Sequence, residues 1–409
     1  MKSRPLLLAL CLAILLAGCA VKEPKQGDPA FPPPVENELR GVWMSYSEIG
    51  SLCRQGADRF YRDLCDSFQA LASKGINAVF FHARAFADAF YDSSLFPWSS
   101  YLTGEQGVDP GFDPLALALQ AAHGCGLQLH AWINPYRVSY DPDITKLCAS
   151  NPARRMYESG NGENLLITES GVFFDPSSLE AQRLILDGAR ELLENYELDG
   201  LHIDDYFYPA DISDADGNAY QAYTRGGGTL ALDDWRRANV SALVGGLYSL
   251  VKSVRPQAAF GVSPGGDPEK DHDTDYADVE RWASSSGYCD YIIPQLYFGF
   301  SNKYSAFEPL LERWANMDRD PSVKLYVGLA LYKSGLEDDY AGEPDSRREW
   351  LENRDIISRQ IRAIRSLRCD GFCLFSFRDL TDPGDNTVKA AEVSAVFDLL
   401  TERELPTNG

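Results

Sequence analysis

Short apolar runs rich in β-branched and aromatic residues alternate with longer amphipathic stretches along most of this chain. Amphipathic stretches such as 59–75, 178–196, 233–254 and 390–400 have the spacing of helices. The apolar runs have the length and composition of strands. Eight of them are predicted strands: 40–46, 76–84, 127–133, 199–205, 258–264, 291–298, 323–331 and 371–377.

Eight strand–helix units in one chain predict an α/β fold, a single (β/α)8 TIM barrel over residues 39–402. A doubly wound open sheet is the alternative, but no glycine-rich phosphate loop follows the first strand. The long connections follow strands 2, 3 and 4, at 85–111, 134–177 and 206–229. Connections after the strands of a barrel meet at its C-terminal face, so we expect the active site there.

The N-terminus has the pattern of an export signal. Residues 1–18 combine a basic start with an apolar run too short to span a membrane, followed by Cys19 in a lipobox-like sequence. We expect a signal peptide over 1–18 and a lipidated Cys19 at the start of a proline-rich tether, 19–38. An ordinary secretory signal with a chance cysteine is the alternative. The predicted location is outside the cytoplasm, anchored to a membrane, the outer one if the organism has two. Residues 403–409 form a predicted C-terminal tail.

Composition narrows the possible partners. The 409 residues are 44% hydrophobic and 24% charged, as in globular proteins, and carry a formal charge of −22. That charge repels phosphate backbones, so no nucleic-acid partner is expected. The nine cysteines include Cys11 and Cys19 in the N-terminal segment and lack a zinc-binding spacing. Neither a metal nor a cofactor is predicted, and the oligomeric state stays open.

The densest group of polar residues ends the fourth predicted strand, at Asp204 and Asp205. Strand alternation predicts His202, Asp204 and Tyr206 on one face and Asp205 on the other. With its neighbours packed against the helices, Asp204 would point to the barrel axis as a nucleophile, general base or charge stabiliser. A structural carboxylate that caps a loop is the alternative for either aspartate.

Other strand ends supply further candidates. Asp88 is a possible second catalytic carboxyl, and Arg84 would either hold it ionised or form a structural ion pair with it. Rings, amides and cations near the barrel mouth suit the faces and hydroxyl groups of sugars. The candidate substrate-binding residues are Arg84, His130, Trp132, Asn134, Tyr136, Arg137, His202, Tyr206, Tyr208, Gln295, Tyr297 and Lys333. Two carboxyl groups in a cleft lined by rings are what glycoside hydrolysis requires.

The sequence resembles the bacterial glycosyl-hydrolase-10-like lipoproteins. Matching segments include RGVWMS near residue 40, AWINPYRV at 131–138, DGLHIDDYFYP at 199–209 and DYIIPQLY at 290–297. The resemblance implies a TIM barrel, export, and cleavage of peptidoglycan glycan strands, particularly strands without stem peptides. Chitinases with a similar D-G-x-x-x-D segment have their catalytic glutamate where this chain has Tyr206. The proton donor therefore stays open between Asp205 and Asp88.

We therefore expect an exported, lipid-anchored glycoside hydrolase that acts on a cell-wall polysaccharide. A glycan-binding barrel without catalytic activity is the alternative, and a hydrolase of another class is a third. Release of new reducing ends from peptide-free glycan strands distinguishes the first two.

Overall fold

The computed structural model describes residues 34–401. Its centre is a closed barrel of parallel strands in the order β1-β11-β10-β9-β8-β7-β3-β2. A separate antiparallel sheet has the order β4-β6-β5. The strands are β1 (Leu39–Met44), β2 (Ala78–Arg84), β3 (Gln128–Ile133), β4 (Arg137–Ser139), β5 (Leu165–Thr168), β6 (Gly171–Phe174), β7 (Gly200–Ile203), β8 (Ala259–Val262), β9 (Tyr291–Ile292), β10 (Lys324–Leu329) and β11 (Gly371–Phe375). The predicted TIM barrel is confirmed.

Helices connect the barrel strands and cover their outer faces. The helices are α1 (Tyr46–Cys53), α2 (Ala57–Ser73), α3 (Ser100–Thr103), α4 (Pro114–Gly124), α5 (Pro152–Glu158), α6 (Leu179–Asn195), α7 (Gly217–Arg225), α8 (Leu232–Val254), α9 (Pro268–Asp273), α10 (Val279–Ser284), α11 (Phe307–Asn316), α12 (Pro344–Glu352), α13 (Ile356–Ser366), α14 (Phe377–Thr381) and α15 (Thr387–Thr401). Single turns of 3-10 helix lie at Ile144–Lys146, Gly162–Asn164 and Leu331–Lys333. No helix within residues 34–401 is long and apolar enough to cross a membrane.

The structure differs from the prediction mainly at the C-terminal ends of the strands. The predicted strand 291–298 retains only two residues as β9, because Pro294 has no N–H to donate to a neighbouring strand. The connection 134–177 contains the sheet β4-β6-β5 and helix α5. Helices α3 and α7 lie in the other two long connections. Elements of three to nine residues are too short to give a clear periodic signal in the sequence.

A buried ion pair joins the two ends of the barrel. Strand β1 pairs in parallel register with β11, the last barrel strand. Just before β1, Glu38 accepts two hydrogen bonds from the Arg365 guanidinium, both 2.8 Å, and one from Arg40 at 2.7 Å. Glu38 is the last residue of the predicted tether and is only 4% exposed.

Cys19, the predicted signal peptide and the predicted C-terminal tail lie outside the described residues. The seven cysteines of the described part have free thiols.

Large rings fill the interior of the barrel, and glycines on the strands make room for them. A methyl group built on any of four strand glycines would overlap a side chain that crosses the interior, at 1.8 to 2.9 Å. Interior positions of a barrel are packed in layers contributed by different strands, so one large side chain needs a small one opposite. The pairs are Gly41 with Phe80, Gly200 with His130, Gly261 with Tyr291, and Gly328 with Trp43.

Gly261→Ala is expected to destabilise the barrel, because its Cβ would lie 1.8 Å from the Tyr291 ring. Overpacking of this kind costs about 1–3 kcal/mol or more, and the melting temperature should fall. Gly246→Ala is the matched control: it lies within α8, and the nearest atom to its added Cβ is 3.5 Å away. That change should leave the melting temperature unchanged or raise it, because alanine favours helix. Equal melting temperatures for the two variants would contradict the packing argument.

Candidate active site

A cavity of about 290 Å³ opens at the C-terminal mouth of the barrel. Seven of the eight barrel strands, all but β2, contribute side chains to it from their last residues or the segments directly following. A larger depression of about 550 Å³ on the surface near α10 and α11 is lined without any aromatic ring and lies away from the strand ends. The cavity at the mouth is lined by Trp43, Trp132, His202, Asp204, Asp205, Tyr206, Ser263, Gln295, Tyr297, Tyr332 and Phe375.

Asp204 is a buried carboxyl at the floor of the cavity, 2% exposed. Its Oδ2 accepts a hydrogen bond of 2.9 Å from Nε1 of Trp132, and Oδ1 is buried without a partner among the described residues. Burial and the neighbouring charge of Asp205 raise its pKa to about 7, although Arg137 and the Trp132 hydrogen bond act in the opposite direction. Asp204 can therefore hold a proton near neutral pH.

Asp205 lines the same cavity as Asp204. The prediction that Asp205 lies on the opposite face is wrong, because β7 ends at Ile203 and regular alternation stops there. Burial raises the pKa of Asp205, while a hydrogen bond with Gln295 lowers it. Two carboxyl groups thus face one space. No three His, Cys, Asp or Glu side chains within residues 34–401 are grouped so as to hold a metal ion.

Asp88 lies outside the cavity lining, in the connection after β2. It is 2% exposed and accepts hydrogen bonds from Gln106 and Ser99. Burial raises its pKa to about 6. Arg84 is also buried but forms no ion pair with Asp88, and its guanidinium packs 4.7 Å from the centre of the Phe96 ring. The structure therefore does not bring Asp88 together with Asp204 and Asp205 in the cavity.

A chain of hydrogen bonds runs from the cavity into the barrel interior. Nε1 of Trp43 donates to Nε2 of His202 at 3.1 Å, and the other ring nitrogen of His202 lies 3.3 Å from the Tyr291 hydroxyl. That hydroxyl lies 2.9 Å from Nδ1 of His130. Burial lowers the pKa of both histidines, that of His202 well below its usual range and that of His130 to about 4. His202 lines the cavity as a neutral ring, and His130 lies beneath it in the core.

Arg137 supports the cavity from behind one of its rings. The guanidinium packs 4.1 Å from the centre of the Tyr206 ring, which lines the cavity. Arg137 is only 2% exposed, and its charge lowers the pKa of both Asp204 and Asp205. Its position makes it a supporting residue, whereas Tyr206 can touch a ligand directly.

Four other candidate substrate-binding residues lie outside the cavity lining. Oδ1 of Asn134 accepts hydrogen bonds from the backbone N–H groups of Tyr136 and the following residue, and so shapes the turn after β3. Tyr136 and Tyr208 are buried in the core. Lys333 forms an ion pair of 2.8 Å with Asp338. Asn134, Tyr136 and Tyr208 are thus buried and Lys333 is held in an ion pair, which strand order alone does not reveal.

Four lining residues were not predicted: Trp43, Ser263, Tyr332 and Phe375. Each lies at or near the end of a predicted strand, within a segment that carries no carboxylate. Their common signal is position, since a barrel brings all strand ends to one mouth. Trp132, His202, Tyr206, Gln295 and Tyr297 are the predicted binding residues that do line the cavity.

The sequence of this chain is similar to those of known glycosyl hydrolases. Residues 38–341 match the family described as Glycosyl hydrolase-like 10. This chain belongs to the glycosyl hydrolase-like 10 family. Glycosyl hydrolase YngK of Bacillus subtilis (strain 168) is 34% identical over 84% of this chain and 69% of that protein. Glycosyl hydrolase DigH of Escherichia coli (strain K12) is 30% identical over 87% of this chain and 90% of that protein.

Solved structures show the same architecture as this member of the glycosyl hydrolase-like 10 family. The glycoside hydrolase domain of PgaB (BpsB) from Bordetella bronchiseptica has a TM-score of 0.55 at 15% identity, over 90% of this chain and 99% of that chain. The catalytic domain of β-amylase from Paenibacillus polymyxa also has a TM-score of 0.55, at 11% identity, over 89% of this chain and 99% of that chain. These similarities establish the fold alone.

Trp132→Phe is expected to raise the pKa of Asp204 above its value of about 7, because the lost indole hydrogen bond stabilises the carboxylate. Trp43→Phe is the control, since that indole also lines the cavity but donates to His202. Carbon-13 NMR of aspartate-labelled protein measures both shifts. A larger rise in the control than in Trp132→Phe would show that loss of a cavity indole acts through general packing.

Proposed function

We propose that this chain is a lipid-anchored glycoside hydrolase that cleaves the glycan strands of a peptidoglycan-type cell wall. The observation that carries the proposal is the pair of carboxyl groups, Asp204 and Asp205, in one cavity lined by aromatic rings. Two carboxyl groups supply the acid and the base or nucleophile that glycoside hydrolysis needs. Membership of the glycosyl hydrolase-like 10 family supports the reaction class.

The pKa shifts favour different roles for the two carboxyl groups. Asp205 raises the pKa of Asp204, so an ionised Asp205 helps Asp204 to retain its proton. We assign Asp204 as the general acid and Asp205 as the carboxylate that acts on the anomeric side. This assignment replaces the nucleophile or base role expected of Asp204 from strand alternation. Asp88 has no catalytic role in this assignment, because it does not line the cavity.

In this scheme Asp204 gives its proton to the glycosidic oxygen as the bond to the anomeric carbon breaks. A water molecule supplies the hydroxyl that adds to the anomeric carbon, and its remaining proton restores the acid form of the pair. Asp205 stabilises the positive charge that develops on the sugar ring, or attacks the carbon directly. The negative charge therefore stays within the cavity throughout the reaction.

The lining also suits a sugar bearing amide and hydroxyl groups. Tyr297 and Phe375 supply apolar ring surface, and their ring centres lie 6.1 Å apart. Gln295 offers a neutral amide, whose Nε2 also donates to the carbonyl of Ser263 at 3.3 Å. Such groups can orient an acetamido group or a hydroxyl without adding charge. The family resemblance and the expected export of the chain support the cell-wall substrate.

Asp204→Asn and Asp205→Asn should each lower kcat on peptide-free glycan strands by on the order of 10²-fold or more. Release of reducing ends measures turnover, and circular dichroism checks that the fold is retained. Asp88→Asn is the matched control, a buried aspartate of the same barrel that lies outside the cavity.

The activity of the wild-type enzyme should fall as pH rises through about 7, since Asp204 must be protonated to act as the acid.

Wild-type turnover in Asp204→Asn would overturn the assignment of the acid. Binding of glycan strands without any new reducing ends, in the wild-type chain, would instead favour a glycan-binding barrel. A greater loss of activity in Asp88→Asn than in Asp205→Asn would assign the role of the second catalytic carboxyl to Asp88, in the connection after β2.

We also propose that Cys19 carries the lipid and that the proline-rich segment after it holds the barrel away from the membrane. Cys19→Ser should move the protein from the membrane fraction to the soluble fraction on cell fractionation, with its melting temperature unchanged. Cys11→Ser, within the predicted signal peptide, is the matched control and should remain with the membrane. Complete retention of Cys19→Ser in the membrane fraction would contradict the lipid anchor.

A further inference from the structure

We propose that Tyr140 and Tyr206 form a second sugar-binding platform, which carries the next units of the glycan as it leaves the cavity on the β3–β7 side. The proposal rests on the proposed function, because the platform binds the same polysaccharide. Its ligand is a pyranose unit of that polysaccharide, which presents an apolar ring face to aromatic side chains.

The size of the cavity requires such an extension. At about 290 Å³ it lies just below the range for small-molecule pockets, about 300–1,000 Å³. A polysaccharide therefore has most of its length outside the cavity. Tyr206 begins the path outwards, because it lines the cavity and is still 43% exposed.

Arg137 connects Tyr206 to the second ring of the platform. Its guanidinium packs 4.1 Å from the ring centre of Tyr206 and 4.6 Å from that of Tyr140, and Nη1 donates to the Tyr140 hydroxyl at 2.7 Å. Arg137 is 2% exposed, so the two rings cover it, yet Tyr140 itself is 53% exposed. Each ring thus uses part of its surface on the cation and leaves the rest open to solvent.

A second set of rings holds Tyr140 from another direction. Phe86 packs against it edge to face, with ring centres 5.2 Å apart. Tyr46 and Phe86 are themselves in edge-to-face contact, at 5.3 Å. A ring held this firmly loses little conformational entropy when a ligand stacks on it, which favours binding.

The rings could instead serve only to shield Arg137 from water, and two substitutions separate these roles. Tyr140→Leu keeps an apolar cover over Arg137 but removes the flat ring. Tyr140→Phe keeps the ring and loses only the hydroxyl. Shielding predicts that both variants behave alike, whereas a platform predicts that only Tyr140→Phe retains glycan binding.

The test is isothermal titration of the full chain, in detergent, with β-1,4-linked N-acetylglucosamine oligosaccharides of two to six units. We expect affinity to rise with length in the wild type and in Tyr140→Phe. In Tyr140→Leu the affinity for the six-unit oligosaccharide should fall about tenfold, with a much smaller loss for the two-unit one. Tyr157→Ala, which removes an exposed tyrosine of α5 outside the platform, is the control and should resemble the wild type.

The outcomes separate the platform from the proposed function. If the wild type and Tyr140→Leu show the same dependence on length, the platform is wrong while glycan binding stands. If Tyr140→Leu loses affinity equally at every length, Tyr140 acts through the cavity, which also overturns the platform. If the wild type neither binds these oligosaccharides nor releases reducing ends from peptide-free glycan strands, both proposals fail.

Discussion

The packing of rings against glycines inside the barrel is the constraint on which the site depends. Eight strands enclose too little space for bulky side chains on every inward position, so Gly200 and Gly261 leave room for His130 and Tyr291. The packed rings leave the strand ends to form the floor of the cavity. His202 links this packing to the cavity, because it contacts the interior and also lines the mouth.

That packed floor explains why Asp204 has an unusual pKa. A carboxylate at this position loses most of its contact with water, which raises its pKa, while Arg137 and Trp132 act in the opposite direction. The balance leaves a carboxyl that changes its protonation state near neutral pH. A cation in direct contact with Asp204 would keep its carboxyl ionised. A fully apolar surrounding would instead keep the carboxyl protonated at any physiological pH. The indole of Trp132 has an intermediate effect, because it donates one hydrogen bond without adding charge.

The sequence predicts the barrel well because each strand and helix carries its own periodic signal. It also places Asp204 at a strand end, since the apolar run of β7 leads directly to it. Strand alternation fails at Asp205, because it assumes a regular strand where β7 has already ended. Asp88 and Lys333 show another limit: each follows a strand, but neither lines the cavity. Trp43 shows the converse, since a ring within an apolar run gives no sign that it faces a cavity.

The mouth of the barrel is asymmetric, and the asymmetry accounts for the polar residues of β2. This strand is the one barrel strand that contributes no lining residue, although His82 and Arg84 point towards the interior of the protein and are buried. The His82 ring stacks on Trp132 with 3.5 Å between ring centres and an angle of 13°. Such a close parallel contact restricts the indole to one orientation, the one in which Nε1 meets Asp204. Strand β2 thus acts on the cavity indirectly, by positioning the ring that donates a hydrogen bond to the buried carboxyl.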